Sequence, residues 1–386
     1  MRVLHVIPAV AARYGGPSVV AIESVRALRE AGVDALIATT DADGPTRLRV
    51  ETGQVRDWHG VPMIVLPLGG GERFKWSGAL ARWLDDHVRD FDTVDIHAVF
   101  SHSSLAAGRA CRRVGVPYVI RPHGALDPWS LSQRTWRKRL LFWSGVRRLL
   151  TGAACIQYTT PAEQTGAERM LPWLPAGRIV PLGIDDGAFI DSTPDPVAPY
   201  VLTMSRLDAK KSLDRLIAAF HAATVGPFAA WRLILAGDGA PDCVAALRAA
   251  AAAGPAHDRI DFVGWVEGAT KRDLIAGASL LASPSAQENF GLSIAEAMAA
   301  GVPVLVTPTV NLADEIAAAG AGWVVAREIP ALVEALRAIC ADGPERAARG
   351  RAARSLADRY RWPHATASLI ALYDDVSRST SVARHG

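Results

Sequence analysis

The sequence is most informative first for what it lacks. Across 386 residues no stretch reaches about 18 uncharged apolar residues, so no segment qualifies as a membrane-spanning helix. The opening apolar run, Val3–Val10, is too short to span. It also continues into a nucleotide-fold pattern rather than a cleavage site, which argues against a signal peptide. Only four cysteines occur, Cys111, Cys155, Cys243 and Cys340, far apart and without a CxxC pair or a Cys/His group at zinc spacing. That excludes a disulfide framework and a zinc module, and the expectation is buried free thiols in a reducing compartment. A strong charge imbalance is missing too. Forty-two Lys and Arg face 39 Asp and Glu, a net +3, so the global charge does not predict nucleic-acid binding, and no nucleic-acid partner is expected. The GxGxxG dinucleotide fingerprint is absent, which argues against a dehydrogenase.

What is present is a chain long enough for two domains, half of it apolar and 21% charged. Short apolar runs at Val3–Pro8, Ala35–Thr40, Met63–Pro67, Val94–Val99, Tyr118–Arg121 and Cys155–Thr159 read as strands. They alternate with helical patterns such as Ser18–Ala31, where Val19, Ile22, Val25 and Leu28 recur at helical spacing and Gly32 is the expected left-handed stop. Residues 185–199 are polar and proline-bearing, as a linker would be. The alternation then restarts with strands at Tyr200–Met204, Arg232–Ala236, Ile260–Val263, Leu280–Ser283, Val302–Val306 and Trp323–Val325. Helices are expected at Leu213–Ala223, Asp242–Ala252, Lys271–Ala276 and Leu292–Ala300. The predicted fold class is therefore α/β: two Rossmann-like, doubly wound parallel-sheet domains facing an interdomain cleft, with ligands beyond the carboxyl ends of the strands. The expected domains are residues 1–184 and 200–361. Residues 362–386 form a final helix, returning to the first domain, and a frayed tail.

Two segments of the second half carry the chemistry. Gln287–Met298 follows a strand and opens a helix, a junction whose free amides and positive dipole end attract an anion. Gly291 allows close backbone approach. Glu288 lies before the helix and Glu296 at least one turn into it, so a phosphate at the helix start would have a carboxylate on either side for sugar hydroxyls. The alternative is a capping acid and a solvated helix residue. Ser205–Lys211 directly follows the strand Tyr200–Met204. Arg206 offers a planar fork and Lys211 a point charge, two cations suited to a diphosphate, while Lys210 reads as a solvent-facing lysine.

Arg206–Lys211, the Ala236-Gly237-Asp238-Gly239 turn, Phe262-Val263-Gly264 and Glu288–Glu296, with its glutamates eight positions apart and followed by Ala-Met-Ala-Ala-Gly-Val-Pro-Val, together resemble the family-4 retaining glycosyltransferases of the GT-B fold. The resemblance implies that Glu288 contacts a donor sugar, Glu296 the ribose, and Arg206 and Lys211 the diphosphate. It also implies donor contacts at Gly237, Gly264, Asn289, Phe290, Gly291 and Leu292. Ser212 departs from the family, which usually has glycine there. In the first half, Tyr14-Gly15-Gly16-Pro17 resembles the family's glycine-rich loop, placing Gly15 and Gly16 near the donor phosphates and Tyr14 near the acceptor. Arg121–Trp129 follows a strand. The resemblance makes His123 the catalytic residue beside the donor sugar and assigns the stretch from Gly124, with Asp127 and Trp129, to the bacterial polysaccharide and lipid-linked-oligosaccharide type. His97 and His102 read as cleft-lining or structural.

The implied reaction moves a hexosyl group from a nucleoside-diphosphate sugar, a UDP- or GDP-sugar, to a sugar or lipid-linked glycan with retention, in exopolysaccharide, O-antigen or glycolipid synthesis. No cofactor is implied. No metal is required either, since no Asp-x-Asp motif stands in a suitable loop. The rivals are a phosphorylase or nucleotide-sugar epimerase on the same fold, and a sugar-nucleotide-binding protein without catalysis. Arg134–Leu150 interleaves six cations with Trp136, Phe142, Trp143 and leucines. Two readings stay open: a helix lying on an anionic membrane through Arg137, Lys138 and Trp143, or a domain helix with its arginines in water. The expected location is cytoplasmic, with peripheral contact at the inner face of the cell membrane under the first reading. The oligomeric state and the base, sugar and acceptor stay open.

Overall fold

The computed structural model describes residues 1–72, 74–132, 145–194, 197–223 and 226–385. It divides into two compact units, Met1–Gly183 with Trp362–Gly386, and Ile184–Arg361.

The second unit is built on six parallel strands in the spatial order Ile260–Gly264, Arg232–Ala236, Tyr200–Met204, Leu280–Ser283, Val304–Val306 and Gly322–Val324. In chain order this is 3-2-1-4-5-6, the doubly wound arrangement, whose direction reverses between Tyr200–Met204 and Leu280–Ser283. The strands read as apolar runs because both faces are covered: Val201, Leu202, Leu233, Leu235, Leu280, Val304 and Leu305 are fully buried. Helix Leu213–Ala223 turns Leu213, Leu216, Ile217 and Phe220 to one side, packed with Leu332 and Leu336 of helix Ile329–Ala341. Each such side chain contributes about 1.5–3 kcal/mol by leaving water.

The main sheet of the first unit has, among the described residues, eight strands in the order Gly177–Ile179, Cys155–Tyr158, Tyr118–Arg121, Thr93–His97, Arg2–Val6, Asp34–Thr40, Val61–Leu66 and Val55–Trp58. All pair in parallel except the last, which runs antiparallel at the edge. The terminal helix Trp362–His385 belongs here, burying Leu369, Leu372, Tyr373 and Val376 with Val3, Val25, Leu28 and Ile37. Gly183 is required where it is, because a Cβ there would lie 2.1 Å from the Trp362 indole.

The sequence pattern overlooked the edge strands Val55–Trp58 and Gly177–Ile179 and the ribbon Ala42–Asp43/Thr46–Arg47. They are short and mostly solvated, so they carry no alternating apolar signal. Of the expected basic helix, Arg147–Thr151 is helical. Trp136, Arg137, Lys138, Phe142 and Trp143 lie outside the described residues. No helix among the described residues is long and apolar enough to cross a membrane. All four cysteines are free, but Cys243, against expectation, is only partly buried, because it sits in the solvated first turn of helix Pro241–Ala252.

Candidate active site

In the second unit the loops leaving the two central strands meet at the point where strand order reverses. Loop 205–212 follows Tyr200–Met204, loop 284–291 follows Leu280–Ser283, and the Ala286 amide donates to the Lys210 carbonyl at 2.8 Å. This brings together two side chains 77 residues apart: Lys211 Nζ donates to Glu288 Oε2, with only 12% and 20% of the side chains exposed. The two opposite charges meet in a setting mostly shielded from solvent. Glu288 is fixed further by its backbone, its amide on the Thr309 carbonyl at 3.1 Å and its carbonyl accepting from Asn311 at 3.0 Å.

Arg206 is not drawn into this pair. Its side chain is 58% exposed, and its ion pair is with Asp208 at 3.6 Å. Gly237 has a packing reason to be glycine. Its φ is 141°, and a Cβ would stand 1.8 Å from the Ser205 carbonyl oxygen, so it lets the loops after two adjacent strands close on each other. The Gly264 carbonyl accepts from the Gly237 amide at 2.7 Å. Ser212 adopts φ 51°, a left-handed residue at the start of helix Leu213–Ala223, the geometry glycine supplies without strain. Its hydroxyl accepts from Arg327 at 3.3 Å.

Helix Leu292–Ala299 begins at Gly291, φ 77°, with no side chain capping it, which leaves its first amides without a side-chain acceptor. Phe290 is expected among the donor contacts, in the run of amides from Phe290 to Leu292. Its ring is buried and packs edge-on to Tyr360 at 5.2 Å between centroids, so only its backbone is left to meet a ligand. Leu292 is part-buried at the helix start, and Asn289 Oδ1 accepts from Asn311 Nδ2 at 3.2 Å. Glu296 is not a solvated helix residue. Burial pushes its carboxyl upward, and Lys271 from helix Gly268–Ala276, bonded to it at 2.6 Å, opposes that shift. Lys271 was missed in the sequence because nothing marks one lysine on a polar helix as the partner of a residue 25 positions on.

In the first unit Gly15, φ 71°, precedes helix Gly16–Glu30, which has no side-chain cap. The Tyr14 hydroxyl donates to Glu72 and accepts from the Gly44 amide at 2.8 Å, and Lys75 lies over its ring at 4.2 Å. His123 occupies the loop after Tyr118–Arg121 in the left-handed region, φ 52°, a conformation that needs support for a non-glycine residue. Buried Glu163 gives it: Oε1 accepts from the Gly124 amide at 2.8 Å, and Oε2 from the Thr159 amide at 2.7 Å and hydroxyl at 2.8 Å. Thr160-Pro161-Ala162-Glu163 has capping-box spacing, the signal that could have found it. Asp127 is buried and Trp129 exposed. His102 is part-buried, its ring accepting from the Ser77 amide at 3.2 Å.

Behind His123 lies a buried polar cluster of His5, Asp95, His97, Arg121 and Tyr373. Burial pushes the His5 imidazole down to about 4, that of His123 to about 3 and that of His97 well below its ordinary value, so all three are neutral near pH 7. Burial alone would raise the Asp95 carboxyl. The Arg121 guanidinium at 2.9 Å, with His97, His5 and the Tyr373 hydroxyl, outweighs it and holds the group ionised. Ligand atoms of His5, Asp95 and His97 fall within 4.8 Å of one another, but they are already tied to each other, to Tyr373 and to Arg121. The imidazole nitrogens of His5 and His97 and Asp95 Oδ2 are already engaged, and Asp95 Oδ1 alone of these ligand atoms has no hydrogen-bond partner among the described residues.

Two Rossmann-like units, with polar loops gathered at the carboxyl ends of parallel strands, define the nucleotide-binding α/β class. Residues 15–184 match the family described as glycosyl transferase 4-like domain, and residues 198–342 the family described as glycosyl transferases group 1. The chain is 30% identical over 346 residues to the GDP-mannose-dependent alpha-(1-6)-phosphatidylinositol dimannoside mannosyltransferase of Mycobacterium tuberculosis, spanning 86% of this chain and 85% of that one. It is 26% identical to the GDP-mannose:cellobiosyl-diphosphopolyprenol alpha-mannosyltransferase of Xanthomonas oryzae pv. oryzae, over 97% of both. Sucrose-phosphate synthase from Thermosynechococcus elongatus shares the fold with a TM-score of 0.78 at 20% identity, covering 98% of this chain and all of that one. An Anabaena protein solved with UDP-glucose does so at 0.75 and 21%, covering 97% and all of that chain. The chain belongs to the family-4 glycosyltransferases of the GT-B fold, and it is a glycosyltransferase.

Proposed function

We propose that this enzyme transfers a mannosyl group from GDP-mannose to a lipid-linked glycan, with retention at the anomeric carbon. The observation that carries the donor site is the Lys211–Glu288 pair at the strand-order reversal, beside the uncapped helix start at Gly291. The names of the two full-length relatives, both GDP-mannose-dependent, support the sugar nucleotide, and their lipid-borne acceptors support the acceptor class.

As the glycosidic bond breaks, negative charge grows on the diphosphate. In the proposed mode Lys211 swings part of its contact from Glu288 to that phosphate, the amides of Gly291 and Leu292 add fixed dipoles, and Glu288 is freed to accept from the sugar hydroxyls. With its oxygens taken up by the sugar hydroxyls and the remaining lysine contact, Glu288 is a weak nucleophile in this mode. The departing phosphate oxygen is then the nearest base for the incoming hydroxyl, which favours attack from the face the leaving group vacates.

The reading is tested by thermal-shift titration with GDP-mannose and UDP-glucose, followed by turnover on a polyprenyl-diphosphate-linked oligosaccharide and NMR of the product. Stabilisation by GDP-mannose and an α-linked mannoside are expected. Preference for UDP-glucose would replace the donor, and a β-linked product would overturn retention.

A second measurement addresses Glu296. Its carboxylate, buried against Lys271, suits a hydrogen bond to the ribose. Glu296→Ala is expected to weaken donor binding by about 10–100-fold, the loss of one charge-assisted hydrogen bond of roughly 1.5–3 kcal/mol. Calorimetry giving unchanged donor affinity would remove Glu296 from that role.

A further inference from the structure

Three imidazoles stand in file behind the His123 loop. His123 Nε2 is 3.1 Å from His97 Nδ1, His97 Nε2 is 3.0 Å from His5 Nδ1, and His5 Nε2 is 3.5 Å from the Tyr373 hydroxyl oxygen. The file crosses strands Arg2–Val6 and Thr93–His97 and ends on helix Trp362–His385. The charged groups facing it are Asp95 and Arg121, with Ser24 from helix Gly16–Glu30 accepting from Arg121 at 3.3 Å.

Each contact in such a file holds one hydrogen, so fixing one bond fixes the others. Tyr373 has a single O–H, and the Asp95 carboxylate takes it at 2.6 Å. The Tyr373 oxygen can then only accept, so His5 carries its hydrogen on Nε2 and a lone pair on Nδ1. His97 must therefore donate from Nε2 and accept at Nδ1, and His123 must donate from Nε2. A separate observation gives the same polarity. Asp95 Oδ1 is buried without a hydrogen-bond partner among the described residues and lies 3.8 Å from His97 Nε2. An N–H there is attracted to the carboxylate, and a lone pair would be repelled.

We infer that His97 and His5 are positioning residues that lock His123 as the neutral Nε2–H tautomer, presenting an Nδ1 lone pair to a substrate hydroxyl. The inference rests on His123 lying in the active site of the proposed glycosyl transfer, as the family resemblance implies. His123 Nδ1 makes no hydrogen bond among the described residues. In this state it accepts and does not donate, so it suits a sugar hydroxyl and rejects an unprotonated phosphate oxygen. The neutral state agrees with the burial that lowers all three imidazoles.

The test is histidine-selective ¹⁵N labelling of the full chain, with His123 assigned through His123→Asn. The expected spectra show a protonated Nε2 and a bare Nδ1 on His123, unchanged from pH 8 to pH 5. An Nδ1–H tautomer, or a cationic ring within that range, would overturn the lock. Kinetics supply the second readout. His97→Leu is expected to lower kcat about tenfold or more with little change in KM, and to give an Nδ1–H component on His123 in the same spectra once the acceptor for its Nε2 hydrogen is gone. His97→Gln, which can both accept and donate, should recover most of the loss. Equal losses in both variants, with the His123 tautomer unchanged in His97→Leu, would mark a merely structural role and overturn the proposal. Full activity in His123→Ala would overturn the placement of His123 in the site, while the spectra still decide the tautomer.

Discussion

Lys211→Ala is expected to lower turnover at saturating donor by about 10²–10³-fold, the loss of roughly 3–4 kcal/mol of charge stabilisation in a site largely closed to water. The magnitude follows from burial. The lysine is 12% exposed and meets Glu288 in a setting where a positive charge is poorly screened. Arg206→Ala gives the contrast. Its side chain is 58% exposed, so water and salt screen it, and a smaller effect of about tenfold is expected. The two variants, measured as kcat with the same donor, separate a buried charge from a solvated one. Near-normal turnover in Lys211→Ala would exclude it from stabilising the leaving diphosphate. Glu288→Gln removes the countercharge while keeping a hydrogen-bond acceptor. Its coupling to Lys211→Ala in a double-mutant cycle measures how far the pair acts as a unit.

Acidification from pH 7 to pH 5 is expected to remove several kcal/mol of stability from the first unit. The fully buried His5 has its imidazole lowered to about 4, against an ordinary value near 6.5. Below about pH 6.5 the unfolded chain binds a proton that the folded chain refuses, so stability rises with pH across this window and falls as pH drops toward 4. At pH 5 that loss is about 2 kcal/mol for His5 alone, and His97 and His123 add losses of the same sign. Asp95 acts in a lower window. Its folded-state carboxyl is held far below the unfolded value near 3.9, so its contribution is complete above about pH 4 and disappears only in stronger acid. A thermal midpoint falling steeply between pH 6.5 and pH 4.5 is the expected result. A midpoint constant over that range would mean that the imidazoles are not buried neutral.

The residues show where sequence reading reaches its limit. Strand runs such as Tyr200–Met204 and Arg232–Ala236 were evident because a parallel strand covered on both faces has to be apolar throughout, and the segments around Lys211 and Glu288 stood out as loops at strand ends. His5 was hidden inside the apolar run Val3–Val10. Asp95 and Arg121 were charged residues within strands read as core, with no periodic pattern to pair them. Phe290 belonged to a motif singled out for donor contact, yet its own ring turns inward against Tyr360.

The sequence by itself determined the alternation of strands and helices, the polar loops at strand ends and the family motifs, because each of these is written in residues close together in the chain. Tertiary structure alone decided which charges meet. Lys211 finds Glu288 across 77 residues, and Tyr373 finds Asp95 across 278. The physical reason is that a buried charge or imidazole is tolerable only with its partner in place, and strand order and helix packing, rather than local propensity, bring that partner within reach.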